Sequence, residues 1–272
     1  DGYFFSWAAD SSAVIAHAGD ELRRADADGT EVLGPAAAAF GAPVVLPDGR
    51  VLYADASVDG RALLYATGPD GPGAFQIPLA SFEGELSLVL DDSGTRLAAV
   101  VSGGGGGAGF SPVSFQPTTT DQGGTRTPFG VPVLEQGVTV LDLGNLTLTE
   151  DSVLFYDEEP AQAVTFDPDA SHLAILTSDG QGGGFWKLVE FGVGTELTPI
   201  FRPSLLFTTS VLPFYDQYAT SMTPWAPDGS ALAYATAAEG DAPPSVWVQD
   251  VDPSVPPYRI GDGAYVVWQP VT

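Results

Sequence analysis

The sequence of 272 residues contains no cysteine. This absence excludes disulfides, thiolate nucleophiles and cysteine-ligated zinc, although it leaves the redox compartment open. Basic residues are scarce as well, since nine Lys and Arg stand against 35 Asp and Glu, and Lys187 is the only lysine. A formal net charge of −26 repels phosphate backbones and anionic lipid headgroups. We therefore expect no nucleic-acid binding. We interpret the acidity as an adaptation to solubility or to salty surroundings, in preference to an acidic patch that binds a specific basic partner.

Long apolar runs and helical periods are also missing. No stretch approaches the roughly 20 apolar residues needed to span a bilayer, so we expect no membrane insertion. Pro and Gly interrupt nearly every window, and no helical period is sustained over several turns. No signal peptide is visible, yet a chain that starts at Asp1 without Met looks processed or excised. The composition therefore predicts an all-β protein.

A recurring five-residue phrase organises the chain. It is most complete at Trp225–Gly229, where Pro227 pre-sets φ, Asp228 can bond its local backbone and Gly229 accepts a positive φ. Apolar runs precede and follow the phrase, which therefore predicts a β-hairpin loop. Degenerate copies of the phrase lie at Phe166–Ala170, Leu90–Gly94, Val45–Gly49 and Trp7–Ser11.

Each copy predicts a four-stranded unit. The apolar run after the phrase forms a second strand, and a third strand such as Leu22–Ala25 or Val138–Asp142 follows. A short segment such as Glu31–Leu33 completes the sheet. The second strands are apolar almost throughout, which is typical of strands covered on both faces, as the blades of a propeller are.

The spacing of the copies predicts the architecture. The equivalent positions are Trp7, Val45, Leu90, Phe166, Trp225 and Trp268. Their separations, by subtraction, are 38, 45, 76, 59 and 43 residues, and three of these approach the roughly 40–45 residues of a four-stranded propeller repeat. We predict a single β-propeller domain over residues 1–272, with antiparallel four-stranded blades and inserted loops at about 103–137 and 198–221.

The last repeat is partial, so the prediction is five or six blades. Tyr265–Trp268 either starts a sixth blade or packs beside the first blade and closes the ring. Asp1–Trp7 and Asp262–Trp268 align without gaps, which favours equivalent inner strands and an unfinished sixth blade.

These repeats resemble the TolB-like β-propeller family, whose units read roughly Trp-Ser-Pro-Asp-Gly before an apolar strand. Trp225–Tyr234 is the best match, Phe166–Ile175 is the next, and Asp26–Leu33 is similar to the family's Asp-x-Asp-Gly exit from the third strand. The first copy departs from the pattern at Ala9 and Ser11. The resemblance implies a bacterial propeller, periplasmic, cell-surface or extracellular, that holds proteins together, or one attached to a catalytic domain.

No catalytic constellation is visible in the sequence. The only histidines are His17 and His172, and the Gly-x-Ser-x-Gly elbow of a serine hydrolase is absent. Gly103–Gly107 lacks the Lys-Ser/Thr of a phosphate-binding loop and is typical of a flexible linker. We expect no cofactor. Asp157–Glu159 and Asp91–Asp92 offer oxygen ligands for structural calcium, but without calcium-loop spacing a solvated acidic turn is the preferred interpretation.

The two insertions are the predicted partner-binding regions, because variable loops on a rigid scaffold usually carry function. The residues that we expect to contact a protein partner are Phe110, Phe115 and Phe129 in the first insertion and Phe214, Tyr215, Asp216 and Tyr218 in the second. The alternative is that these rings fold back and cap the propeller's own core or channel.

The sequence therefore favours a non-enzymatic, extracytoplasmic propeller that serves as an interaction scaffold or as a subunit of a larger assembly. Two other functions stay open. The chain could be the gating propeller of a prolyl-oligopeptidase-like peptidase, or it could bind a glycan or cation in its central channel.

Overall fold

The computed structural model describes residues 2–8, 10–36, 42–56, 62–68, 71–102, 133–134, 137–143, 161–190, 193–219 and 221–268. The chain divides into two compact units, of which unit 1 comprises residues 1–90 and 94–158 and unit 2 comprises residues 91–93 and 159–272. Phe110, Phe115, Phe129 and the acidic run 157–159 lie outside the described residues. The single domain over 1–272 stays a prediction.

The first sheet of unit 1 follows the predicted four-stranded pattern. Its strands, in spatial and chain order, are β1 (Gly2–Trp7), β2 (Val14–Ala18), β3 (Glu21–Asp26) and β4 (Gly29–Pro35). All neighbouring strands are antiparallel, and the β3–β4 hairpin turns at Asp26, whose carboxylate accepts hydrogen bonds from the backbone N–H groups of Asp28 and Gly29.

The second and third sheets of unit 1 depart from four strands. The second contains β5 (Val44–Val45), β6 (Val51–Ala56), β7 (Ala62–Gly68), β8 (Gly71–Phe82) and β11 (Val133–Leu134). The third contains β9 (Glu85–Leu90), β10 (Arg96–Ser102) and β12 (Gly137–Asp142). Val133–Leu134, near the end of the first predicted insertion, pairs in parallel with Ser81–Phe82, so the insertion adds a fifth strand to the second sheet.

The core of unit 1 lies on the apolar second and third strands of these sheets. Leu52, Leu64, Leu97 and Leu141 are fully buried in one cluster that joins the second sheet to the third. At roughly 1.5–3 kcal/mol for each fully buried aliphatic side chain, this burial is the main stabilising contribution to the unit.

Unit 2 contains one regular and one irregular sheet. The fourth sheet is built from β13 (Ala161–Phe166), β14 (Leu173–Ser178), β15 (Gly184–Glu190) and β16 (Val193–Glu196), all antiparallel. The fifth contains β17 (Ala231–Thr236), β18 (Ser245–Asp250) and β19 (Tyr258–Asp262). Among the described residues, the four expected antiparallel strands are present in the first and fourth sheets, whereas the second sheet has five strands and the third and fifth have three each.

The recurring phrase forms the predicted hairpin in both units. Gly229 has a φ of 71°, its N–H donates to the carbonyl of Ala226 at 2.8 Å, and the carboxylate of Asp228 accepts from the Ser230 N–H at 3.0 Å. The fifth position of the phrase has a positive φ in all five copies, namely Ser11, Gly49, Gly94, Ala170 and Gly229. Local turn chemistry thus fixes the first hairpin of each sheet, even where the residue is not glycine.

Short helical turns are the main departure from an all-β chain. They run in succession within the second predicted insertion, as a π-helical turn Phe207–Val211, a 3-10 turn Leu212–Phe214 and one α-helical turn α1 (Tyr215–Tyr218). The residues Tyr265–Trp268, predicted as an inner strand, form no strand in the described part of the chain.

Candidate functional site

The second insertion interrupts the first strand of the fifth sheet. Pro203 pairs with Thr236 and Trp225 pairs with Leu232 in isolated antiparallel bridges. The partners on β17 are four residues apart, whereas those on the other side are 22 apart, so the ladder accommodates 18 extra residues. The segment 204–223, of which residue 220 lies outside the described residues, leaves the strand and returns to it, and it is called the excursion below.

The excursion packs on its own unit through aromatic side chains. The ring of Phe207 lies edge-on to Tyr215 at 6.1 Å between centroids and stacks on Tyr265 at 6.4 Å. The hydroxyl of Ser204 donates to the carbonyl of Ala264, which ties the residues after β19 to the base of the excursion. These contacts hold the excursion in a defined position, as a binding loop on a scaffold requires.

A small cavity lies beneath the excursion. Its volume of about 30 Å³ has room for a water molecule, and its lining includes Trp186, Phe207, Tyr215 and Tyr265. Tyr215 is only 5% exposed, and its hydroxyl has no hydrogen-bond partner within 3.5 Å among the described residues. Burial, assisted by the neighbouring Tyr265, raises the pKa of Tyr215, so the phenol stays neutral at physiological pH.

The predicted partner-binding residues of the second insertion have different environments. Tyr215 faces the interior, as the fold-back alternative supposes, whereas Phe214, Asp216 and Tyr218 are half-buried. The carboxylate of Asp216 accepts a hydrogen bond from the Gln217 N–H at 2.9 Å. The most exposed apolar side chain of the excursion is instead Leu205, at 75%. A partner-binding role for the four predicted residues stays a prediction.

A much larger feature of unit 2 is an open groove of about 670 Å³, which falls within the usual range for binding pockets. Its walls come from the segment before the excursion, from the strands of the fifth sheet, from the loop that joins β17 to β18, and from Pro257 before β19. Its lining includes Ile200, Phe201, Arg202, Tyr234, Glu239, Trp247 and Arg259. We call this surface the β17–β19 groove.

An aromatic row crosses the β17–β19 groove. Tyr234 on β17 is the cross-strand partner of Trp247 on β18, and Trp247 is the partner of Arg259 on β19. Directly opposed residues share a face of the sheet, so these three side chains form one row. Phe201 extends the row, since its ring lies 4.5 Å from that of Tyr234. Burial raises the pKa of Tyr234 to about 12, so the row carries no phenolate at neutral pH.

The β17–β19 groove concentrates positive charge. Unit 2 has three basic residues, Lys187, Arg202 and Arg259, and two of them line this groove. Arg202 is exposed and makes no ion pair with any residue that the structure describes, while Arg259 contacts the exposed carboxylate of Asp262. Glu239 is the one acidic side chain in the lining, and Asp262 neutralises Arg259 from outside it, so Arg202 is the cation of the groove without an ion pair in the described part of the chain.

The serine, histidine and carboxylates of the fourth hairpin lie together but do not form a catalytic triad. Nδ1 of His172 lies 2.8 Å from both the hydroxyl of Ser171 and the carboxylate of Asp167. In a triad, the serine and the carboxylate contact opposite nitrogens of the ring. The Asp167 carboxylate also accepts from the His172 backbone N–H at 2.9 Å, so this cluster stabilises the turn.

Over the ranges that the structure describes, no three His, Asp or Glu side chains come close enough to hold a metal ion. Within the same ranges, no helix is long and apolar enough to cross a membrane.

Comparisons with known proteins match the chain by structure and not by sequence. No protein-family model and no curated protein matches the sequence. The structure is similar to oligogalacturonate lyase from Vibrio parahaemolyticus, at 9% identity and a TM-score of 0.54, over 96% of this chain and 65% of that one. It is also similar to TolB from Acinetobacter baumannii, at 14% identity and a TM-score of 0.49, over 96% of this chain.

A third similar structure is a protein assigned as TolB from Agrobacterium tumefaciens, at 11% identity and a TM-score of 0.48, over 95% of this chain and 80% of that one. This chain spans 55% of the length of the Acinetobacter TolB chain. The series of antiparallel sheets, together with the likeness to the lyase structure, supports a β-propeller fold. At these identities the likeness concerns the fold alone.

The sequence-based search missed the β17–β19 groove, since none of its residues was among the predicted contacts. One signal was available, because basic residues are so rare that each of the nine is informative. The grouping of Arg202 with Arg259 depends on strand pairing across a long sequence separation, which composition cannot supply.

Proposed function

We propose that this chain is a non-enzymatic, extracytoplasmic β-propeller that binds proteins, as a scaffold or as a subunit of a larger assembly. The observation that carries the proposal is the β17–β19 groove, an open surface of binding-site size on an ordered sheet. The sheet supports this surface, because β17, β18 and β19 fix the positions of Tyr234, Trp247 and Arg259 in its lining.

The lining has the composition of a protein-binding surface. Aromatic residues and arginine are enriched at the energetic centres of protein interfaces, whereas lysine and acidic residues are depleted there. The β17–β19 groove presents Trp247, Arg202 and Arg259 together with Ile200, which is 65% exposed. A partner that covers this side chain would remove its apolar surface from water. The excursion adds Leu205 as a second exposed apolar side chain.

The extracytoplasmic location and the absence of catalysis belong to the same proposal. The location rests on the resemblance of Trp225–Gly229 and its degenerate copies to the repeats of TolB-like propellers. The non-enzymatic role is supported by the geometry of Ser171, His172 and Asp167, which suits a turn and not a nucleophile with its base. Hydrolysis of a peptide or glycan by the purified chain would contradict this part of the proposal.

The test compares two exposed apolar side chains of unit 2. Ile200→Glu places a carboxylate in the β17–β19 groove, while Val193→Glu makes the same change on β16, where Val193 is 67% exposed. Wild type and both variants are immobilised, exposed to an extract of the native source, and the retained proteins are quantified by mass spectrometry. We expect Ile200→Glu to lose a protein that Val193→Glu and the wild type retain.

The opposite pattern would remove the groove from the proposal. If all three chains retain the same proteins in equal amount, the groove is not the binding surface. If the wild type retains nothing above a blank surface, the chain does not act as an interaction scaffold, and the proposed function is wrong.

A further inference from the structure

We propose that the β17–β19 groove binds an extended peptide segment that carries a single carboxylate beside apolar residues. This inference rests on the proposed protein-binding function and specifies the chemistry of its partner. It is based on Arg202 and Arg259, on the aromatic row, and on the net charge of −26 of the whole chain.

Charge complementarity selects the carboxylate. Arg202 is exposed and has no ion pair within the described residues, and its guanidinium can present two parallel N–H donors to one carboxylate. Arg259 already contacts Asp262, but both groups are about half exposed and such surface pairs exchange readily with other partners. A guanidinium has five donors, so Arg259 can contact a ligand carboxylate without leaving Asp262.

The negative charge of the whole chain limits the number of ligand charges. The net charge of −26 repels polyanions over about 8 Å at physiological salt, whereas the groove offers two guanidinium groups, one of which is already paired with Asp262. Glu239 in the lining would repel a second carboxylate of the ligand. A ligand with one carboxylate gains the arginine contacts and avoids most of this repulsion.

The apolar wall selects a peptide with flat or aliphatic side chains next to that carboxylate. Trp247 is half-buried and lies beside the buried ring of Tyr234, and Ile200, which is 65% exposed, also lines the groove. Three prolines, Pro199, Pro243 and Pro257, also line the groove. Rings of this kind are pre-organised and lose little conformational entropy when they pack against an extended peptide.

The experiment uses the full chain and a phage-displayed library of random dodecapeptides. The peptides that the wild type enriches are sequenced, and the most frequent one is synthesised with a fluorescent label. A copy with the corresponding amide in place of its carboxylate is made as well. Dissociation constants are measured by fluorescence polarisation for the wild type, Arg202→Gln and, as a charge-matched control in unit 1, Arg23→Gln, whose side chain is exposed. Circular dichroism confirms that each variant is folded.

We expect the enriched peptides to carry one Asp or Glu flanked by apolar residues. Loss of a charge-assisted hydrogen bond should weaken binding about tenfold, both for Arg202→Gln with the acidic peptide and for the wild type with the amide copy. Arg23→Gln should stay within about twofold of the wild type, and polyglutamate should bind more weakly than the single-carboxylate peptide.

Two results would overturn the inference while leaving the proposed function in place. One is a set of enriched peptides without a carboxylate, and the other is unchanged affinity of Arg202→Gln for the acidic peptide. Enrichment of no peptide at all, together with no partner from the native extract, would overturn both proposals. Tighter binding of polyglutamate than of the selected peptide would contradict the argument from net charge.

Discussion

The fourth and fifth sheets of unit 2 share a hairpin and differ at both edges. Both place the recurring phrase before an apolar second strand, β14 or β17. The fourth sheet has a continuous first strand and a fourth strand, β16. In the fifth, the excursion divides the first strand, and no fourth strand follows β19 in the described residues. The hairpin and the second strand are therefore common to both sheets, whereas the edge strands differ and accept insertions.

The difference between the edges of the two sheets indicates which part of unit 2 carries the proposed binding function. The β17–β19 groove lies on the fifth sheet, next to the point where the excursion leaves the first strand. A ladder can absorb 18 extra residues there because Pro203 and Trp225 still pair with β17 on either side. The comparison therefore predicts that the fifth sheet depends more strongly on its hairpin residues than the fourth, since fewer strand contacts support it.

The largest expected effect comes from Trp225→Ala. Trp225 is completely buried, and its Nε1–H donates to the carbonyl of Thr165 at 3.4 Å. We expect the free energy of unfolding to fall by about 3–5 kcal/mol, as is usual for loss of a buried Trp, in urea titrations followed by circular dichroism. Phe166→Ala, at the same phrase position in the fourth sheet, should cost less, because its side chain is smaller and less buried.

Trp7→Ala is the matched control for that prediction. Trp7 occupies the same phrase position in the first sheet but is 60% exposed. Its replacement should change the free energy of unfolding by less than about 1 kcal/mol. An equal loss for Trp7→Ala and Trp225→Ala would mean that the phrase position itself, and not burial in the fifth sheet, sets the effect.

The second prediction exchanges the turn residues of the two hairpins. Ala170 has a φ of 56° and Gly229 a φ of 71°. Because a Cβ disfavours this conformation, Ala170→Gly should stabilise the fourth sheet and Gly229→Ala should destabilise the fifth, each by about 1 kcal/mol. A Cβ at Gly229 would lie 3.6 Å from its nearest neighbour, the Asp167 carboxylate, so strain and not collision is the cause.

Thermal unfolding of the two single variants and the double variant measures this exchange. The effects should depart from additivity, because a Cβ at Gly229 would contact the carboxylate of Asp167 and the carbonyl of Asp167 accepts from the Ala170 N–H at 3.0 Å. Stabilisation by Gly229→Ala, or destabilisation by Ala170→Gly, would show that contacts of the side chain outweigh the conformational preference at that turn.

The hairpins were predictable from the sequence because their determinants are local. Pro227, Asp228 and Gly229 each act within a few residues, and the strands that follow show their apolar character directly. The excursion was predicted only as a long interval, since the sequence does not reveal that it divides a strand between Pro203 and Trp225. Its helical turns are too short for a periodic signal.

The groove could not be predicted, because it depends on long-range pairing. Tyr234, Trp247 and Arg259 become neighbours only through the register of β17, β18 and β19. That register also shifts between Val246 and Trp247, so Ile260 is an extra residue and Arg259, not Ile260, lies opposite Trp247. A one-residue difference of this kind decides which side chain enters the groove, and no local pattern in the sequence encodes it.

The smallest expected effect is a pH dependence at the two hairpins. Hydrogen bonds from the hydroxyl and the backbone N–H of Ser230 lower the pKa of Asp228 below its ordinary value of 3.8. In the fourth hairpin, the hydroxyl of Ser171 is the first cause of the lowered pKa of Asp169, followed by Asp167. A depressed pKa means that the carboxylate stabilises the folded chain above the unfolded pKa, and that this contribution is lost as the pH falls through the folded pKa.

Asp228→Asn therefore should lower the thermal midpoint at pH 6, and the difference from the wild type should vanish once the pH has passed below the folded pKa. Ser230→Ala should reduce the same difference, because it removes the hydroxyl donor that acts on Asp228. In the fourth hairpin, the pH profile of Asp169→Asn should be broader, since Asp167 and Ser171 share hydrogen bonds with Asp169 there. Because Asp228 is exposed, the shift should be the smallest of the three effects. Identical, pH-independent midpoints for Asp228→Asn and the wild type would show that the hairpin of the fifth sheet is held by its backbone conformation alone.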